Sequence, residues 1–142
     1  MQDQALAQQV LQEKNLTLCL VRDGAVLAQS LDKGIQPLYD LVKSGADYRG
    51  ACAADRVVGR GAAMLFAKLG VRSLHSVVLS QPAKEALEAG GVVTACDELV
   101  PGIVNRAGDG PCPVEQLSWK AEDADDLMPL LKEFLTRIGG RP

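Results

Sequence analysis

Three short apolar runs, residues 50–54, 74–79 and 92–96, alternate with helical stretches, and this alternation constrains the fold more than any other feature of the chain. Runs of that length suit strands buried on both faces. Strands joined through helices lie parallel in one sheet. Upstream, residues 16–22 and 25–30 flank Asp23-Gly24, a tight-turn signal that predicts an antiparallel hairpin. Helices are expected over residues 3–14, 36–43, 56–69, 82–90, 113–119 and 123–138, with Pro37 in a first turn and Asp55 capping the helix that Gly70 stops. The expected architecture is therefore α/β, three layers α-β-α around a mixed sheet of about five strands, an antiparallel N-terminal hairpin plus parallel strands. With no internal repeat or dividing linker, residues 1–142 read as a single domain, its core over residues 5–118 and a closing helix over residues 123–138.

Composition narrows the function classes. Hydrophobic residues at 47% and charged residues at 23% are a globular balance. Aromatics at 4% leave the core to Ala, Val and Leu. A net charge of −3 and a pI near 5.1 give no footprint for nucleic acid or an anionic membrane. The polar, Gln-rich residues 1–13 lack the pattern of a signal peptide, and no apolar run is long enough to span a bilayer. Cys19, Cys52, Cys96 and Cys112 form no CxxC pair, which predicts a reduced, cytoplasmic protein.

In sheets of this kind a ligand lies beyond the carboxyl ends of the strands, here near Gly34, Asp55, Ser80 and the loop that follows the last strand. At the strand-to-helix junction, Arg56 or Arg60 would bind a phosphate or carboxylate and Gly59 would admit it to the backbone. The same residues fit a plain helix cap with close packing, and Asp55 would repel an anion. Residues 97–111 are expected to form a long loop that carries Asn105, Arg106 and Asp109 over the pocket as specificity groups. Cys112 precedes Pro113 at a helix start, where its thiol would be activated as a nucleophile, or would sit at a cap with Glu115 reaching back. His75, the only histidine, falls inside a strand and reads as a core or sheet-face residue, although it would be the base available to Cys112.

Several local words, Gly34-Ile35-Gln36-Pro37-Leu38, Asp55-Arg56-Val57-Val58-Gly59-Arg60, Val100-Pro101, Asn105-Arg106, Gly108-Asp109-Gly110 and Cys112-Pro113-Val114-Glu115, resemble a small prokaryotic family with a cytidine-deaminase-like fold. That family is known as a domain of unknown function, so the resemblance, over residues 5–118, implies a fold and no reaction. Zinc deaminases carry an HxE word at one helix start and a PCxxC word at the next. The corresponding starts here, residues 34–38 and 54–59, contain neither His nor Cys. No metal site, no cofactor and no zinc-dependent deaminase activity are expected. The functional expectation is a domain that binds a small anionic or nucleotide-like ligand through Asp55, Arg56, Gly59, Asn105, Arg106, Asp109 and Glu115. Two alternatives stand beside it, a metal-independent enzyme with Cys112 as nucleophile, and a non-catalytic homo-oligomer built through the apolar faces of the terminal helices.

Overall fold

A hairpin forms around Asp23 (φ 53°) and Gly24 (φ 76°), whose left-handed backbones match a two-residue turn to the twist of its strands. Both N–H groups donate to the carboxylate of Asp3, at 2.9 and 3.0 Å. The turn joins β1 (Leu18–Arg22) to β2 (Ala25–Ser30). The protein is seen here in a computed structural model that describes residues 2–105 and 107–142. Ahead of the hairpin runs α1 (Gln2–Glu13). After it come α2 (Gln36–Ser44), β3 (Cys52–Val58), α3 (Arg60–Leu69), β4 (Ser73–Ser80), α4 (Gln81–Ala89), β5 (Val93–Val100), α5 (Pro113–Ser118) and α6 (Ala124–Arg137).

The five strands make one mixed sheet in the order β2-β1-β3-β4-β5. β1 is antiparallel to both β2 and β3, whereas β3, β4 and β5 are mutually parallel. On one face α1 alone covers the sheet, with Ala7 and Leu11 packed against Leu16, Cys19, Val21 and Ala54. The other helices share the opposite face. There Leu38, Phe66, Leu87, Leu127 and Leu131 close over Leu20, Ala53, Leu74 and Leu79. This is the three-layer α/β arrangement that the alternation of runs predicts.

Two boundaries differ from expectation, and both matter for the site. β3 runs on through Val57 and Val58, which pair with Val78 and Leu79 of β4, so α3 begins only at Arg60. Its N-cap is Gly59 and not Asp55, which sits within the strand opposite Leu18 and Ser76. The β-branched pair Val57-Val58 carries the strand preference that a helix starting at residue 56 ignores. Likewise β5 takes up residues 97–100, because β4 is long enough to offer ladder partners as far as Val100. The expected loop is correspondingly shorter. Among the described residues no helix is long and apolar enough to cross a membrane.

A candidate ligand cleft at two helix starts

Side chains alternate across a strand. Ala53 of β3 packs into the multi-helix face and Ala54 into the α1 face, so Asp55 belongs to the first and Arg56 to the second. The bonds follow that alternation. Arg56 Nε donates to the carbonyl of Leu16 at 2.8 Å, and Nη2 donates to the carbonyl of Leu11 and to Asn15 Oδ1, each at 3.3 Å. The guanidinium thus satisfies carbonyls at the C-terminal end of α1, where a cation also suits the helix dipole. We expect Arg56→Ala to lower stability by about 2 kcal/mol, since charge-assisted bonds to the Leu16 and Leu11 carbonyls and to Asn15 are removed. Urea unfolding checks this, and a loss under about 0.5 kcal/mol would rule the arrangement out.

Asp55 faces a cleft of about 460 Å³ at the starts of α2 and α3. Its walls are mainly apolar, with Leu18, Ile35, Leu38, Ile103 and Val114 among them. Among the described residues the polar ones are few: Thr17, Asp32, Lys33, Asp55, Arg56, Cys112 and Glu115. Gly59, Gly61 and Ala62 keep the wall beside α3 thin. The backbone N–H of Arg56 donates to Asp55 Oδ1 at 2.6 Å. Desolvation raises the Asp55 carboxyl to about 7, against the opposing pull of the Arg56 and Val57 N–H groups and the Arg56 charge.

Glu115 reaches across from α5. It does not turn back on its own helix as a capping box would, and Cys112 at the N-cap makes no side-chain capping bond. Instead Glu115 Oε1 accepts the backbone N–H of Arg60 at 2.8 Å, capping α3, whose own N-cap glycine has no side chain to offer. Glu115 Oε2, among the described residues, is the one buried side-chain polar atom without a hydrogen-bond partner. Next to it, Arg60 stacks its guanidinium 4.3 Å from the centroid of the Trp119 ring and donates to the carbonyl of Ser118.

The structure therefore brings Asp55, Gly59, Cys112 and Glu115 to one cleft and leaves other sequence candidates elsewhere. Arg56 borders the cleft, but its guanidinium is bonded on the far side of the sheet. Asn105 and Asp109 bond to each other, Nδ2 to Oδ1 at 2.8 Å and the Asp109 N–H to Asn105 Oδ1 at 3.2 Å. Neither lines the cleft. They close a small turn beyond the bridge between Val104 and Pro111. Arg106 lies outside the described residues. His75 Nε2 sits 3.0 Å from Asp97 Oδ1, away from the cleft, so it supplies no base to Cys112. Thr17, Lys33 and Ile103 are cleft residues that sequence reasoning missed. Gly34 and Pro37, expected to shape the start of α2 at the edge of the crevice, were the available signal. Among the described residues, no three His, Cys, Asp or Glu side chains converge as a metal site.

Fold and cleft together define the class: a three-layer α/β protein with a preformed, largely apolar cleft at the starts of two helices. More particularly, the chain belongs to the family described as a domain of unknown function, DUF1893 (TM1506), whose model matches residues 6–135. A crystal structure of a DUF1893 family protein (TM1506) from Thermotoga maritima is similar at 25% identity, covering 93% of this chain and 89% of that chain, with a TM-score of 0.84. The dCMP deaminase from the cyanophage S-TIM5, in its apo form, gives 15% identity, 70% and 94% coverage and a TM-score of 0.46. No curated protein matches the chain.

Proposed function

We propose that this protein binds a small, nucleotide-like molecule in the cleft between the starts of α2 and α3. The observation that carries this reading is the cleft itself. At about 460 Å³ it has the size of a small-molecule site, with apolar walls and a few convergent polar groups. A carboxyl held at about 7 at its floor supports the same reading, since such perturbation is common where a protein engages a ligand. The apolar walls that include Leu18, Ile35 and Val114 suit a ring system.

A compact anion is the less favoured ligand. Among the described residues, Asp32, Asp55 and Glu115 line the cleft against the ammonium of Lys33. The Arg56 guanidinium, which motivated an anion, is bonded to α1. A nucleophilic role for Cys112 gains no base from this geometry, because His75 is paired with Asp97.

Thermal-shift titration with nucleosides, nucleotides and inorganic phosphate tests the proposal. A ligand at about 100 times its Kd contributes about 2.7 kcal/mol, a shift of several degrees in a chain of this size. We expect saturable stabilisation by at least one ring-bearing compound, lost in Ala62→Leu, which fills the thin wall. A flat response to the whole set, or a response that survives Ala62→Leu, refutes the proposal.

A further inference from the structure

We propose that the inner end of the cleft receives an N–H donor head group, of amidine or amino-heterocycle type, on Glu115 Oε2. This deepens the reading above and rests on it, since it assigns the orientation and chemistry of the ligand in that same cleft. Three observations lead there. Glu115 is only 6% exposed, and its Oε2 is buried with no partner among the described residues. A buried acceptor left open is costly, and such atoms are rare in folded proteins. The other oxygen is already engaged by the Arg60 N–H, so the side chain is not free to turn away and satisfy both.

The second observation is the space around it. A Cβ built at Gly59 would lie 2.6 Å from Oε2 and 3.1 Å from Ile103 Cγ1, so these three cleft residues converge at one spot. Only a residue without a side chain leaves the carboxylate this close to the wall. The third is the sign of the lining. Among the described residues Asp32 and Asp55 join Glu115 on the cleft wall, against the ammonium of Lys33, while the guanidinium of Arg56 is bonded to Leu16 on the far side of the sheet. The polar lining is thus dominated by acceptors, and its complement is a ligand edge that donates. A planar carbon carrying one or two N–H groups is the smallest such edge that also matches apolar walls.

Four probes of one size separate the possibilities at pH 8: benzamidine, 4-aminopyrimidine, benzonitrile and benzoate, titrated by calorimetry or ligand-observed NMR. The first two donate, as a cation and as a neutral heterocycle; the last two do not donate and differ in charge. At least one donor probe is expected to bind tenfold or more tightly than benzonitrile and benzoate, and the better of the two donors tells which head group the site prefers. Glu115→Gln is the companion variant. Its amide oxygen still accepts from Arg60, so the α3 cap persists, but an N–H now stands where Oε2 stood. That change is expected to weaken the donor probes at least tenfold and not to weaken benzonitrile, whose nitrile nitrogen can accept from the new N–H. Equal binding of donor and donorless probes, abolished by Ala62→Leu, overturns this inference and leaves the cleft intact as a binding site. Donor binding indifferent to Glu115→Gln also overturns it. No saturable binding by any probe, nucleosides included, removes both readings together.

Discussion

Replacing Asp55 with Asn is expected to stabilise the protein at pH 8 by about 2–4 kcal/mol, an unusual direction for a change inside a central strand. The cause is the desolvated position of the carboxyl, which ionises at about 7 in the fold against 3.8 when free. Below the free value both states hold the proton, and Asp55 has no effect on the balance. As pH rises from 4 to 7 the unfolded chain releases a proton that the folded chain retains, so stability falls with rising pH. Above 7 both states are ionised and the full penalty is in place. The lower part of the expected range reflects the partial exposure of the residue. Asn keeps an oxygen for the Arg56 N–H and carries no charge, so the penalty is absent at every pH. Urea unfolding of both proteins at pH 4, 6 and 8 isolates the effect, because the remaining titrating groups cancel in the difference. Parity at pH 4 and a growing advantage for the variant are expected. A parent protein more stable than the variant at pH 8 would refute the account.

The second large effect is opposite in sign. Gly59→Ala should cost about 2–4 kcal/mol, combining overpacking with damage to the α3 cap. Backbone strain is not the reason, because Gly59 has φ −97°, which any residue adopts. The reason is the space: the new methyl would stand 2.6 Å from Glu115 Oε2, whose other oxygen holds the Arg60 N–H. Either the carboxylate moves and α3 loses its cap, or the strand end shifts against Ile103. Glu115→Ala removes the clashing group, so the double variant should be markedly more stable than the sum of the two single changes implies. Simple additivity within about 0.5 kcal/mol would show that these two residues do not meet.

The Asp55 and Gly59 positions show how far reasoning from the chain alone reaches. Their importance is legible in the word that runs from Asp55 to Gly59, because a strand gives way to a helix there. Their roles are not. Read locally, an Asp before a helical pattern is a cap; in the fold, pairing of Val57 and Val58 with β4 prolongs the strand, leaves Asp55 inside the sheet and passes the cap to Glu115, 55 positions beyond the Arg60 whose N–H it holds. Arg56 illustrates the same limit, since strand alternation sends its side chain to the face opposite Asp55. The turn made by Asn105 and Asp109 was identified as a loop from its composition, but only three-dimensional placement shows those side chains bonding each other instead of a ligand.

Local chemistry, then, determined most of the strands and helices, the hairpin at Asp23-Gly24 and the mixture of antiparallel and parallel strands. Hydrophobic period and turn preference act between near neighbours, and a linear reading captures them. What tertiary structure alone decided was the cleft: which face each polar side chain occupies, that Glu115 completes a distant helix, and that one of its oxygens has no partner among the described residues. Those outcomes depend on strand register and on long-range packing, where a shift of one residue exchanges the two faces of a sheet and no nearby signal records the choice.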